Sequence, residues 1–435
     1  MSDDIVENVS SKKRSIASCC SDSIDPSLSL SQAQERIQTI ARSCFLNTFI
    51  HNTLLLPIRE ALGYTLAHDV KAMFDVPAHT NSAMDGFALN GAALSQRDQR
   101  QFLIAGTALA GKPYPDTVKP GNCVRIMTGA AIPSGCDTVI PQELTQCVDN
   151  VVTVGAGHQC GENVRYAGED LAKNDIAIQA GTPITATELG LLASLGTTHI
   201  EVTRKPKVAF FSTGDELRPV GTRLGPGEIH DSNRYTLYGM LTRLGLDLQD
   251  LGVIKDNPSA LRAALEHASR HADVIISSGG VSVGDADYIK DVLDEIGAVD
   301  FWKIAIKPGR PLAFGTINGK PFFGLPGNPV AVMVTFYQLV RPALLTLAGL
   351  KANPAIRFKV PCASRLKKKP GRVEFYRGVL ESNELGETIV RSSGKQGSGV
   401  LSSMSRANCF IVLPQSQGTV EPGDPVDVEP FEGLV

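Results

Sequence analysis

The sequence predicts a multidomain α/β plus β protein: a central doubly wound α/β domain, a β-rich domain inserted into a helical linker domain, and a C-terminal β-barrel. Three observations carry this expectation. At 435 residues the chain is too long for a single core. Residues 206–347 alternate short apolar runs with segments of helical period. The stretches on either side, 71–168 and 350 onward, are short apolar runs broken by Pro and Gly.

Residues 1–29 are rich in Ser and Asp, lack the apolar core of a signal peptide, and read as a disordered tail. Ser31 and Gln34 form a capping-box pattern around Ala33, Ile37, Ile40 and Ala41, which predicts a helix over 31–43. This helix opens a linker domain of two segments, 30–70 and 169–205. The inserted domain, 71–168, carries turn signals at Gly111-Lys112-Pro113, Lys119-Pro120-Gly121 and Ile132-Pro133-Ser134-Gly135, and its strands are expected to be short. Thr185 and Glu188 repeat the capping pattern ahead of Leu189, Leu192 and Ala193, with Gly196 as the stop. In the 206–347 domain, strands are expected at 208–211, 251–254, 274–276, 301–306 and 322–325. Between them Leu237, Met240, Leu241 and Leu244, then Leu261, Ala264, Leu265 and Ala268, then Ile289, Val292, Leu293 and Ile296, follow helical spacing. Asn257 before Pro258 and Asn328 before Pro329 predict two capped helix starts. From 348 to 435, Val379, Leu380, Ile389, Val390, Ile411 and Val412 among Gly, Pro and Ser predict the barrel.

Composition narrows the functional classes. With 43% apolar and 20% charged residues the chain is an ordinary soluble globular protein, and no run of about 18 apolar residues points to a membrane partner. A net charge of -3 argues against a nucleic-acid surface, and Lys367-Lys368-Lys369 reads as a solvated turn. Nine cysteines without a CxxC pair indicate neither a zinc site nor a disulfide framework, so a reducing cytoplasm is the expected location. His267 and His271, four apart on an expected helix, read as surface residues.

The most informative stretch is DVIISSGGVSVGDADYIK, residues 273–290. An apolar run opens into Ser277, Ser278, Gly279 and Gly280, a turn whose backbone N–H groups can converge on a phosphate or other oxyanion. Asp285 and Asp287 follow, where a hard cation can bridge carboxylate to phosphate, although Asp285 also reads as an N-cap and Asp287 as a first-turn acid. Four further loops follow the expected strands: Ser212-Thr213-Gly214-Asp215-Glu216, the Asp256 loop, Lys307-Pro308-Gly309-Arg310-Pro311, and Leu325-Pro326-Gly327-Asn328-Pro329. In a doubly wound sheet all emerge at the carboxyl ends of the strands, where the ligand sits. Taken singly, Asp256, Glu216, Lys307 and Arg310 read equally as solvated loop charges. In the inserted domain, the Asp85-Gly86 pair reads locally as a hairpin turn, and Arg125 to Gly129 and Gly168 to Asp170 as turns.

The ordered set NSAMDG (81–86), RIMTGA (125–130), GED (168–170), STGDEL (212–217), SGGVSVGDADY (278–288), KPGRP (307–311) and LPGNP (325–329) closely resembles the MoeA/gephyrin E-domain family of molybdopterin molybdenumtransferases, over about residues 31–435. The resemblance implies a central α/β domain of the MogA/MoaB type and an elongated homodimer with a composite active site. It implies insertion of molybdate into adenylylated molybdopterin with Mg²⁺-assisted cleavage of the adenylate, giving molybdenum cofactor and AMP. A molybdopterin adenylyltransferase would then act upstream and apo-molybdoenzymes would receive the product. It casts Glu216, Asp256 and Asp287 as the metal shell and catalytic acids, with Asp85, Thr128 and Asp170 contributed from other domains toward the partner's cleft. Ser278, Gly279 and Gly280 would hold the pyrophosphate; Lys303, Lys307, Arg310, Pro326, Pro329 and Ser398 would form the remaining substrate wall. Arg310 stands where the family pattern has Lys, exchanging a point donor for a planar fork, and His79 departs from the pattern without an assigned role. A molybdopterin adenylyltransferase and a catalytically silent dimeric scaffold are the competing expectations.

Overall fold

The computed structural model describes residues 27–279, 288–350 and 354–431. Gly280, Asp285, Asp287 and nearly all of the 1–29 segment lie outside the described residues.

The central sheet has the order Asp247–Ile254, Lys207–Thr213, Val274–Ser278, Lys320–Leu325, Pro311–Ile317, Gly297–Lys303. Its first four strands are parallel, Pro311–Ile317 runs opposite to them, and Gly297–Lys303, paired antiparallel to Pro311–Ile317, runs with them again. Alternate residues enter two cores: Val208, Phe210, Val274 and Ile276 on one face, Ala209, Phe211 and Ile275 on the other. That two-sided burial is why these strands read as continuous apolar runs. The chain leaves Lys207–Thr213 for Asp247–Ile254 on one side and returns to Val274–Ser278 on the other. The switch point therefore lies between the ends of Lys207–Thr213 and Val274–Ser278.

Three sequence expectations change here. The expected 301–306 strand is divided: Gly297–Lys303 forms the antiparallel edge, and Ile306–Lys307 departs to pair with Val373–Ser382 of the C-terminal sheet. Pro311–Ile317, not anticipated, pairs with Lys320–Leu325 through Asn318-Gly319, both at positive φ (47° and 76°), the asparagine–glycine signature of a tight hairpin. The first helix, Leu30–Cys44, is capped by Ser29 with Gln32, not by Ser31 with Gln34. Gln34 donates instead to the Gln338 carbonyl, 3.0 Å away. Ala33, Ile37 and Ala41 of that helix join the core formed by the helical run Pro329–Leu347. That run, with a π turn at Phe336–Val340, is the one described helix long and apolar enough to cross a membrane, and it is packed inside the protein.

The helix Ala186–Ser194 carries the expected Thr185–Glu188 capping box, and the strands Thr53–Pro57, His199–Thr203 and Thr65–Leu66 form a small sheet beside it. Arg204 ties this unit to the central domain through Asp273 at 2.9 Å. The inserted sheet runs Thr138–Pro141, Gly86–Leu89, Asn122–Ile126, Arg100–Ala108, Val151–Val154, Thr145–Val148. One strand is longer than expected, since Arg100–Ala108 spans 9 residues. The Asp85-Gly86 pair is not a hairpin turn: Gly86 starts a buried strand between Ile126 and Pro141.

In the C-terminal domain Val373–Ser382, Cys409–Leu413, Pro425–Pro430 and Phe358–Pro361 form the sheet, with Thr388–Ser392 alongside and Cys362 bridged to Val390. Ile411, Val428 and Val390 fill its own core. Phe375, Phe410, Val412 and Phe431 instead join the core of the central domain. Every described cysteine is free. Lys368, expected in a solvated turn, is buried, with its ammonium donating to the Gln417 carbonyl at 2.8 Å.

Gly86 permits the close approach of neighbouring backbones, because a Cβ there would lie 2.1 Å from the Ile140 carbonyl oxygen. Gly86→Ala is expected to destabilise the protein by about 1–3 kcal/mol through overpacking, read as a fall in the urea midpoint; an unchanged midpoint would contradict this packing.

Candidate active site at the switch point of the central sheet

The four parallel strands end on one cavity of about 900 Å³. Thr213 and Gly214 come from the first strand end, Asp256 from the loop after the second, Ser278 and Gly279 from the third, and Pro326 and Gly327 from the fourth. The opposite wall is formed by the Lys307 to Pro311 loop and by Arg372, Glu374, Tyr376 and Gln396 to Ser398 of the C-terminal domain. Gly279 has φ +90°, and a Cβ would lie 2.3 Å from the Thr213 carbonyl oxygen, so this position accepts only glycine. The glycine thereby lets the ends of the Lys207–Thr213 and Val274–Ser278 strands pack closely at the cavity.

The sequence-predicted residues divide into three groups. Glu216, Asp256, Ser278, Gly279, Lys307, Arg310, Pro326, Pro329 and Ser398 line the cavity. Lys303, at the end of its edge strand, is exposed and does not line it. Asp85, Thr128 and Asp170 lie in other parts of the chain. The Asp85 carboxylate accepts the Thr128 backbone N–H and hydroxyl, both at 2.7 Å. Asp170 is exposed, and its N–H donates to the Val76 carbonyl at 3.1 Å. None of these three lines the cavity of its own chain.

The two walls carry opposite charge. On one, burial raises the Asp256 carboxyl above the ordinary aspartate value, and the negative charges of Asp215 and then Glu216 add to the rise. On the other, the Lys307 ammonium pairs with Glu374 at 3.1 Å. Among the described residues no group of three His, Cys, Asp or Glu side chains is placed to hold a metal ion.

Several lining residues were not singled out from sequence. Asn233 donates to Ser278 Oγ at 2.9 Å and to the Gly327 carbonyl at 2.7 Å, joining the ends of two strands. Its Oδ1 and the Thr213 hydroxyl are buried without a hydrogen-bond partner. Asp231 caps the following helix and accepts from Ser212 Oγ at 3.0 Å. Arg377 is fully buried and donates to Ser403 Oγ and to the Gly397 carbonyl, both at 3.0 Å, holding the loop that presents Ser398. Asn328, expected to cap its helix, makes no side-chain cap bond; the Ser398 carbonyl accepts the Val330 N–H at 3.0 Å instead. A helix of the central domain is thus capped by the C-terminal domain. The available signal was the alternation Arg372, Glu374, Tyr376, which puts Glu374 and Tyr376 on one face of a strand and Arg372 just before it begins.

An α/β sheet with an oxyanion-type turn at its switch point, walled by a second domain that brings cations, defines a class of proteins that bind phosphorylated or similarly anionic ligands. Family models match the chain in order: MoeA N-terminal region (domain I and II) over 28–196, probable molybdopterin binding domain over 209–346, and MoeA C-terminal region (domain IV) over 359–431. A molybdopterin molybdenumtransferase of Haemophilus influenzae is 43% identical over 389 residues, 89% of this chain and 96% of that one. Gephyrin of Dictyostelium discoideum is 32% identical over 92% of this chain and 62% of its own length. The crystal structure of the molybdopterin biosynthesis MoeA protein of Pyrococcus horikoshii superposes with a TM-score of 0.78 at 26% identity, covering 92% of this chain and 99% of that one. The chain belongs to the MoeA family.

Removing one neighbouring acid tests the charge assignment. Asp215→Asn should move the Asp256 carboxyl back toward the ordinary aspartate value. Because a raised acid favours the folded state at low pH and disfavours it as pH rises through the shifted value, the variant should also lose less stability over that window. An Asp256 titration by carboxyl-carbon NMR that is unchanged in the variant would refute the crowding. In the other direction, Thr128→Val removes one of the hydrogen bonds that, with the Thr128 backbone N–H foremost, hold Asp85 below the usual carboxylate range, and should raise it.

Proposed function

We propose that the chain is a molybdopterin molybdenumtransferase, a transferase of molybdenum cofactor biosynthesis that places molybdate-derived molybdenum on molybdopterin. The single observation that supports this most is the pairing, in one cavity, of an acid-lined phosphate turn with a cation-lined wall in a member of this family. The substrate we assign is adenylylated molybdopterin, cleaved to AMP as the oxyanion is taken up; molybdate is the second substrate.

The residues fit a Mg²⁺ ion. Asp256, held above the usual range by burial and by Asp215 and Glu216, belongs to a hard-oxygen group that a divalent cation would relieve, and Mg²⁺ commonly uses one or two carboxylates with substrate phosphates. Glu216 and Asp256, with Asp287 outside the described residues, would hold it. When bound, the ion supplies neutralising charge to the phosphate oxygens. Gly279 and Ser278 offer the backbone and hydroxyl donors of the turn to the pyrophosphate. Lys307 and Arg310 supply positive charge to the tetrahedral dianion, Arg310 through its planar fork.

The Asp85–Thr128 pair completes the site from a second copy of the chain. What supports this is its position away from its own chain's cavity, and the exposure of Met73, Phe74, Met84 and Tyr166 (73%, 40%, 43% and 57%) in the same part of the chain. Asp170 is assigned to the same trans contribution, the assembly to a homodimer, and the location to the cytoplasm. A molybdopterin adenylyltransferase would supply the substrate and apo-molybdoenzymes would take the product.

Purified protein with adenylylated molybdopterin and Mg²⁺ should release AMP when molybdate is added and activate a cofactor-free molybdoenzyme. No release from folded protein would reject the insertase. Asp85→Asn, Asp256→Asn and Asp287→Asn should each slow turnover by about 10²–10³ if each acts as one preorganised electrostatic group. Mixing the Asp85→Asn and Asp256→Asn proteins under subunit exchange should restore about a quarter of wild-type turnover, because each hybrid dimer carries one intact composite site. Hybrids that form without recovery would refute the trans contribution.

A further inference from the structure

We infer that Glu374 is a specificity-determining residue of the cation-lined wall, a resident counter-ion whose carboxylate occupies Lys307 and limits how tightly a small oxyanion is held there. The inference rests on the reading of this wall as the oxyanion-binding end of the site. The Glu374 side chain is 6% exposed and that of Lys307 is 50% exposed, with Nζ 3.1 Å from the carboxylate. Their positions are dictated by backbone: Lys307 and Glu374 are register partners where the Ile306–Lys307 strand joins Val373–Ser382. Both line the cavity, as do Tyr376, on the Glu374 face of the strand, and Arg372, just before the strand begins.

A nearly buried carboxylate needs a partner, and here it has a surplus of them. Burial lowers the Lys368 ammonium, the positive charges of Lys307 and Arg372 act in the same direction, and Glu374 opposes them. Burial, with the charge of Glu374, pushes the Tyr376 phenol up to about 12, so it stays protonated in working conditions. Lys307, Lys368 and Arg372 would repel one another without an anion between them. Lys307, Arg310, Arg372 and Arg377 line the cavity with Glu374 as the carboxylate among them, so this wall keeps a net positive charge suited to an anion. An oxyanion approaching Lys307 must share Nζ with Glu374 and meets its negative charge across a partly water-excluded wall, where Coulomb repulsion at a few ångströms is large. The carboxylate therefore holds the cations in place in the empty site and lowers affinity for any anion with too little charge to compete.

The test uses the full chain at one ionic strength, because exposed charges are screened. Molybdate, sulfate and the monoanion perchlorate are titrated calorimetrically against wild type, Glu374→Gln and Glu374→Asp. Glu374→Gln removes the charge at constant shape and should bind both dianions about tenfold tighter or more, and should acquire measurable perchlorate binding. Glu374→Asp keeps the charge and should stay within about threefold of wild type. Glu374→Leu is a second neutral replacement should the glutamine variant fail to fold. A gain in affinity is not what damage to the fold produces, so it supports the counter-ion role. Unchanged or weaker dianion binding by a folded neutral variant would overturn it. If neither wild type nor variant binds any of these anions, the oxyanion wall itself is refuted.

Discussion

The joint between the central domain and the C-terminal domain is the constraint on which the site depends. After Lys303 the chain leaves the central sheet, and Ile306–Lys307 becomes the edge strand of the C-terminal sheet. Phe375, Phe410, Val412 and Phe431 of that sheet share one core with Val330, Val334 and Phe336 of the long buried helix. Burying those side chains between the domains, at about 25 cal/mol per Å² of apolar surface, fixes the second wall opposite the strand ends. The Ser398 carbonyl capping Val330 adds a polar tie at the cavity rim. Without this joint the strand ends would offer an open phosphate turn and no closed cavity.

Charge then separates along the cavity. Acids gather at the ends of the first two strands, because their loops carry Asp215, Glu216 and Asp256, and burial, with the charges of the other two, raises the Asp256 carboxyl. Cations gather where the Lys307 to Pro311 loop meets the C-terminal strand, and Glu374 makes that gathering tolerable. The cationic half complements a small dianion, whereas the acidic half repels an anion unless a cation lies between them.

The inserted domain holds its catalytic candidates by local geometry. Asp85 precedes a glycine that must be a glycine for the sake of the Ile140 carbonyl, and its carboxylate is fixed by two bonds from Thr128 across the Gly86–Leu89 and Asn122–Ile126 pairing. The D-G pair was legible in the sequence, but its meaning was not, since a hairpin and a strand start use the same dipeptide. Likewise the Asn318-Gly319 turn was present in the sequence, and the strand before it was not recognised.

What the sequence determined by itself is local: the two-faced apolar strands and amphipathic helices of 206–347, the Thr185–Glu188 cap, the glycine turn at Gly279 and the acids and cations of the loops. These follow from periodicity and backbone sterics, which act over a few residues. The tertiary structure alone decided which charges meet. Glu374 and Lys307 are 67 residues apart, and only the transfer of Ile306–Lys307 from one sheet to another makes them neighbours. Lys368, which reads as solvated among three lysines, is buried with its ammonium donating to the Gln417 carbonyl, 49 residues along the chain. Asn328 lost its cap to a carbonyl from another domain. Such long-range pairings depend on how whole domains pack, and no local pattern encodes them.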